Sequence, residues 1–318
     1  MNPIQPVFKC SFPGQVDWVE GNLLDAESNL GAIITVQPFH GSLKKFRFQG
    51  VEAVEFRLAE REEKQSYCIT AGEYMDKVEK AKAACAINLT KVVLSRSVEE
   101  KLTNIDVNDI LLNLRKAFPL AFVYALQTEE HGLWVGATPE ILVKKKGSQF
   151  ETMSLAGTKW GDDEFTEKEK IEQSVVTQSI LSDLGLSSKH ASDPEQVNFG
   201  KIRHLQSTVR WQSSETLSEV SKKLHPTPAV CGLPKAAAVD FINQTEEYDR
   251  DLYTGYLQVE GLTQNDISFV NLRCMQLFRN RIRFYIGGGI NSFSDPESEW
   301  IETEKKLETL LDAIKLER

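Results

Sequence analysis

Nowhere in the sequence do apolar residues run unbroken for the ~18 positions that a membrane-spanning helix needs, and the opening MNPIQPVFKCSF has no basic-then-apolar signal pattern. A soluble, cytoplasmic protein with no membrane partner is expected. Cysteines are few and odd in number: Cys10, Cys68, Cys85, Cys231 and Cys274, with no CxxC pair. That excludes a disulfide framework and a zinc knuckle, leaving reduced thiols. No segment is rich in Lys and Arg, and 37 basic residues stand against 46 acidic ones, a net charge of −9. Such a balance argues against a nucleic-acid partner, and an anionic substrate would need local cations to hold it. There is no internal repeat of about 20 to 50 residues, no low-complexity tract and no long Pro/Gly/Ser linker. One compact unit follows, and nothing demands more than a monomer.

What is present is 318 residues, 41% of them apolar, enough for a sizeable core. From Val7 to about Cys68, short apolar runs (Leu30 to Val36, Phe46 to Phe48, Val54 to Leu58) alternate with turn residues, as an antiparallel sheet would. Tyr74, Val78 and Ala81 then recur at helical spacing, and Lys91 to Ser95 reads as a strand. A helix is predicted at Val107 to Ala117, followed by strands at Leu120 to Gln127, Leu133 to Ala137, Ile141 to Lys145 and Phe150 to Leu155. Further helices are expected over Thr166 to Asp183, Glu215 to Lys223, Pro234 to Glu246 and Pro296 to Ile314, with final strands at Ser268 to Phe278 and Arg281 to Ile286. Strand runs and helix runs are partly segregated, which favours α+β with large antiparallel sheets over a doubly wound fold.

Two helices carry paired carboxylates. TEKEKIEQ places Thr166 three residues before Glu169, a capping-box signature, with Glu172 one further turn along on nearly the same face. SDPESEWIETEKK offers Asp295 as a cap, Pro296 at the first helical position, and Glu299, Glu302 and Lys306 on a shared face. Like charges one turn apart oppose each other by about 0.2–0.5 kcal/mol on an exposed helix, and by more under cover unless a cation lies between them. Two such faces brought together would make a hard-cation site, and oxygen donors without His or Cys suit Mg2+. Two solvated acidic helices fit the same pattern.

YIGGGINSFSDP sets Gly287, Gly288 and Gly289 between a strand and the last helix, where a backbone without Cβ atoms could approach a carboxylate closely or simply turn. It matches neither GxGxxG nor GxxxxGK[ST], so nucleotide binding has little support. HPTPAVCGLPK packs three prolines into one loop, stiff enough for the wall of a small site or for a plain corner. His204 in RHLQSTV and Arg273 in NLRCM could serve a ligand, or be a core-edge histidine and a surface ion pair.

Taken in order, KVVLSR, GATPEILV, SLAGTKW, EKEKIEQ, RHLQSTV, HPTPAVCGLP, YDRDLYTG, NLRCMQL and GGGINSFSDPESEWIETEKKL resemble the chorismate-utilising enzymes, a family that includes isochorismate, salicylate, anthranilate and aminodeoxychorismate synthases. The match runs from about Lys91 to Leu307. The resemblance implies an α+β fold like that of anthranilate synthase component I, with large antiparallel sheets surrounded by helices. Residues 1–80 would be an N-terminal sheet region of the same unit and 81–318 the chorismate-binding catalytic region. It also implies Mg2+, held by Glu172 and Glu302, with Glu169 and Glu299 close by through metal-bound waters. The substrate would be chorismate. Its ring carboxylate would go to the metal, and its enolpyruvyl carboxylate to Arg273, Tyr253 and the backbone at Gly287 and Gly289. Gly157, Thr158 and His204 would fix the ring, and Lys306 would balance the carboxylates.

In the family's hydration chemistry, water adds at ring C2 while the C4 hydroxyl leaves, so a base and an acid must work together. By matching position these are Lys91 and Glu140. A free lysine titrates near ~10.4 and a free glutamate near ~4.3, and burial moves both toward what the reaction needs. Ala156 stands where aminodeoxychorismate synthases resemble one another in carrying a nucleophilic lysine. Ala229, counted among the substrate contacts, stands where salicylate and anthranilate synthases usually have threonine. The resemblance therefore points to isochorismate synthase, an isomerase feeding menaquinone or siderophore synthesis. Salicylate synthase, an anthranilate synthase component I-like protein, and a chorismate-binding subunit that awaits an amidotransferase are the alternatives. Gln173 and Gln258 depart from the family pattern.

Overall fold

The structure, a computed structural model, describes residues 4–26, 31–58, 68–101, 106–161, 164–199 and 202–315. In chain order the elements are β1 (Val7–Ser11), β2 (Val19–Asp25), β3 (Ile33–Gln37), β4 (Lys44–Gly50), α1 (Ala71–Cys85), β5 (Lys91–Lys101), α2 (Val107–Ala117), β6 (Phe122–Thr128), β7 (Gly132–Thr138), β8 (Ile141–Lys146) and β9 (Gln149–Trp160). They continue with α3 (Glu167–Asp183), β10 (Glu195–Phe199), β11 (Ile202–Gln212), α4 (Leu217–Leu224), β12 (Gly232–Leu233), α5 (Lys235–Thr245), β13 (Tyr256–Glu260), β14 (Asp266–Val270), β15 (Cys274–Phe278), β16 (Arg281–Ile290) and α6 (Pro296–Ile314). The named strands join antiparallel into one ladder, β10-β11-β9-β8-β14-β13-β3-β4-β2-β1-β6-β7-β15-β16-β5-β12. This is the α+β architecture expected from the sequence. The N-terminal strands are woven into it, since β1 pairs with β6 and β3 with β13.

The ladder folds back on itself. Phe122 of β6 lies flat on Phe269 of β14, ring centroids 4.1 Å apart, although many strands separate the two in the sheet. Phe8, Leu126, Leu257 and Phe269 fill the space between the facing halves. The alternate residues of β6, Val123 and Ala125, point the other way and meet Leu111 and Leu114 of α2 and Leu307 and Leu310 of α6. With both faces covered, β6 is buried at every position, which an antiparallel strand with one solvated face would not be. α3 and α4 cover β8, β9 and β11, while α1 and α5 cover β5 and β12. No helix among the described residues is long and apolar enough to cross a membrane.

Local signals account for the helix ends. Asp106 caps α2 by accepting from the amides of Asn108 and Asp109, and Asp295 caps α6 by accepting from Ser298. The buried stripe of α6 is Leu310, Leu307, Thr303 and then Glu299, so the face that is apolar at its C-terminal end turns acidic at its N-terminal end.

Two expectations need correction. Val54 to Leu58 is not a strand: the Val54 amide donates to Glu20 and the Arg57 amide to Gln127, so side chains replace a neighbouring strand. Ser268 to Phe278 is broken into β14 and β15, which pair with different neighbours. The break is anchored by Asn271, whose side-chain amide donates to Leu252 while its oxygen accepts from Tyr124, and it holds Arg273 at φ 48°. Of the two readings left open for the glycine run, the turn fails, because Gly287, Gly288 and Gly289 continue β16 opposite Ser95, Leu94 and Val93 of β5. The expected start of an early strand at Leu30 lies outside the described residues.

Candidate active site

Lys91 opens β5 and is 6% exposed. Its backbone is fixed by the short strand β12, where Leu233 pairs with Lys91 and Gly232 with Val92. Gly232 is required there: at φ 135°, a Cβ would lie 2.3 Å from the Lys91 carbonyl oxygen. Glu140 stands in the turn between β7 and β8, 5% exposed, its amide donating to Thr138 Oγ1 and its carbonyl accepting from the Val270 amide. Both side chains line one cavity. Burial pushes the Glu140 carboxyl up to about 7, with the charges of Lys91 and Arg273 pulling in the opposite direction.

The two acidic helices reach that cavity from different sides. Glu169, Glu172, Glu299 and Glu302 all line it. Gly157, at φ 72°, lets the first turn of α3 close in, since a Cβ there would sit 2.9 Å from the Glu169 Cβ. Glu169 Oε2 accepts from the amide and the hydroxyl of Thr166, and Oε1 is 3.4 Å from Lys159 Nζ. Burial acts to raise its pKa, but these hydrogen bonds and the lysine charge outweigh it and hold the carboxyl below the ordinary range. Glu172 Oε1 accepts from Lys91 Nζ at 2.6 Å. Glu302 Oε1 accepts from Lys306 Nζ at 2.7 Å, and the same amine donates to the Gly287 carbonyl at 2.8 Å. Glu299 is 5% exposed.

The rest of the wall is mixed. Arg273, His204 and Tyr253 line it, as do Ala229 from the proline loop and the backbone of Gly287 and Gly289. Burial, aided by Arg273 and Lys306, lowers the pKa of His204 to about 3, so the ring is neutral. Its Nδ1 lies 3.2 Å from the Gly157 carbonyl, which can only accept, so Nδ1 carries the proton and Nε2 is the accepting nitrogen. Burial lowers the Arg273 guanidinium to about 10, with Glu140 acting against that shift. Cβ atoms at Gly287 and Gly289 would fall 2.9 Å from the Tyr253 hydroxyl and 2.6 Å from Lys91 Cε, so the bare backbone makes room for both. Thr158 lies opposite His204 in the β9–β11 pairing, and its side chain is outside the described residues.

The donor set fits a hard cation in kind. Carboxylate oxygens from α3 and α6 line one cavity in which, among the described residues, they outnumber the single histidine, His204, and no cysteine joins them. Around the point where a Cβ of residue 288 would stand, Glu299 Oε2, Glu302 Oε1 and the Tyr74 hydroxyl lie at 3.4, 3.7 and 3.9 Å. That hydroxyl is fully buried and has no hydrogen-bond partner among the described residues. Among the described residues no three His, Cys, Asp or Glu side chains stand ready to hold one ion together, and Glu169, Glu172 and Glu302 are each tied to a lysine instead.

Several lining residues lie inside the quoted strings without a role read from them. Val93, Val230, Leu272 and Tyr285 are apolar or aromatic wall, a role visible once the ladder is folded. Lys159, within SLAGTKW, is the partner of Glu169. The departures Gln173 and Gln258 both sit in buried polar clusters. Gln173 donates to Ser154, Thr177 and Ser207, fastening α3 to β9 and β11, while Gln258 accepts from Ser221 and Ser268 and donates to Ser218 and Glu260.

The family model of chorismate binding enzymes matches residues 34–315. Isochorismate synthase EntC of Escherichia coli K12 is 31% identical over 244 residues, which cover 71% of this chain and 62% of that protein. Isochorismate synthase DhbC of Bacillus subtilis is 29% identical over 270 residues, covering 76% of this chain and 67% of that one. The match thus spans about 62% of the length of EntC. The solved structure of DhbC from Bacillus anthracis has the same fold, with a TM-score of 0.81 at 23% identity, covering 98% of this chain and 97% of that chain.

Proposed function

Because the chain belongs to the family of chorismate binding enzymes, we propose that it converts chorismate to isochorismate with Mg2+ as its cofactor. The observation that carries this reading is that Lys91, at the start of β5, and Glu140, in the β7–β8 turn, are both buried in one cavity, with Glu140 poised to hold a proton near neutral pH. Lys91 takes a proton from the water whose oxygen bonds to ring C2. The ring double bonds shift, and the C4–O bond breaks as Glu140 gives its proton, so the hydroxyl departs as water rather than as hydroxide. Arg273, with Tyr253 beside it, is the cation for the enolpyruvyl carboxylate. His204 Nε2 accepts from a ring hydroxyl.

Glu172 and Glu302 would hold the Mg2+, which when bound would neutralise the ring carboxylate and draw electron density from the ring. Glu172 Oε1 cannot serve Lys91 and a cation equally, so the 2.6 Å ion pair is the contact given up on loading; the ammonium then releases its extra proton to solvent, and the neutral amine turns to the substrate water. Ala229 leaves a methyl rather than a hydroxyl in the wall, which supports water addition without pyruvate loss. Incubation of the pure protein with chorismate and Mg2+ tests the reading. Isochorismate accumulating without pyruvate is expected, whereas fluorescent salicylate together with pyruvate would replace this reading by salicylate synthase.

A further inference from the structure

We propose that Tyr74, on a helix that the family motifs do not reach, is a positioning residue for the cation site: its hydroxyl orients the Glu299 and Glu302 carboxylates across the space above Gly288. The inference rests on the Mg2+ reading given above. Tyr74 sits on the buried stripe of α1 with Val78 and Ala81, and a phenylalanine would fill the same apolar environment. What a phenylalanine lacks is the hydroxyl, and that oxygen has no hydrogen-bond partner among the described residues although the residue is fully buried. Leaving such a group unmade is unfavourable, so the atom needs a task.

Its surroundings supply one. The hydroxyl oxygen shares the space above Gly288 with Glu299 Oε2 and Glu302 Oε1, all three within 4 Å of the same point. The ring cannot turn away, since it packs on the Trp300 indole at a centroid distance of 5.8 Å, and the Arg96 guanidinium holds that indole from 4.0 Å. Arg96 Nε also donates to Thr303 Oγ1, so the turn of α6 that carries Glu299 and Glu302 is fixed relative to the phenol. Glycine at 288 keeps the shared space open. A phenol, whose ordinary pKa is ~10, is a hydrogen-bond donor at neutral pH. A phenol that donates to a carboxylate, directly or through a cation's water, fixes the direction of that carboxylate's lone pairs, as outer groups do around metal ligands.

The test compares wild type with Tyr74→Phe, measuring the thermal midpoint of each full-length protein across a Mg2+ titration without chorismate. The expected result is an apo midpoint unchanged or slightly higher, because only an unpartnered oxygen is removed, and a half-saturating Mg2+ concentration raised about tenfold. An unchanged half-saturation in Tyr74→Phe, with wild type responding to Mg2+, overturns the role of Tyr74 alone. A lowered apo midpoint with unchanged Mg2+ affinity, or a variant that does not fold, makes the hydroxyl structural and likewise overturns it. No response in wild type overturns the Mg2+ reading itself and this inference with it.

Discussion

Glu140→Gln separates stability from catalysis at a single buried atom. Burial moves the carboxyl from 4.5 to about 7 in the folded protein, so the folded state binds this proton more tightly than the unfolded chain. A raised folded pKa gives stability that is fully present below pH 4.5 and is lost as pH rises through about 7. At about 1.36 kcal/mol per pKa unit the loss amounts to about 3 kcal/mol. Glutamine is neutral at every pH and has the same shape, so the variant escapes this decline. The difference in unfolding free energy between variant and wild type should therefore grow in favour of the variant by up to about 3 kcal/mol between pH 5 and pH 8. Urea unfolding of both proteins at several pH values measures it. Other titrating groups, His204 included, are common to both proteins and drop out of the difference. The amide cannot protonate a departing hydroxide, so kcat should fall by about a hundred- to ten-thousand-fold, while wild-type kcat should decline on the alkaline side of about pH 7. A stability difference that does not change with pH would show that Glu140 ionises like an exposed carboxylate, and the assignment of the acid would fail.

Lys91→Ala should abolish turnover while chorismate still binds, as isothermal calorimetry would report. Because Glu172 then loses the amine that occupies it, half-saturating Mg2+ should fall, and a rise would refute the competition between lysine and cation. Gly287→Ala should destabilise the protein by about 1–3 kcal/mol and raise KM for chorismate, because the new Cβ meets the Leu94 carbonyl at 2.8 Å and the Tyr253 hydroxyl at 2.9 Å. Wild-type stability and KM in that variant would show that the strand yields more readily than the packing indicates.

Local chemistry made part of this molecule legible. Thr166 with Glu169 and Asp295 with Pro296 mark the starts of the two acidic helices, and both helices begin where those residues say. The stripe Tyr74, Val78 and Ala81 is the buried face of α1. The strands were read less well where their edges depend on neighbours. Tyr256–Glu260 and Ile202–Gln212 were missed, because their mixed residues acquire a buried face only when β13 joins β3 to β14 and β11 joins β9. The glycine run leaves a turn open beside a close backbone approach because glycine is the common turn residue. It is strand because β5 pairs with it throughout and its bare backbone admits Tyr253 and Lys91.

The sequence by itself determined the α-helices, their acidic caps, the family and the charged residues that meet in the cavity, since each of these is written in spacing of only a few residues or in ordered motifs. Only the tertiary structure decided the state of those residues. It placed Glu140 out of water, set Glu172 against Lys91 and Glu169 against Lys159, and broke one long strand so that Arg273 turns into the cavity. It also set the hydroxyl of an apparently apolar-face tyrosine beside two carboxylates. Charge, hydration and hydrogen bonding depend on which groups come within a few ångströms of each other, and for residues 91, 140, 172 and 302 that is fixed by the folding of the ladder and not by their order along the chain.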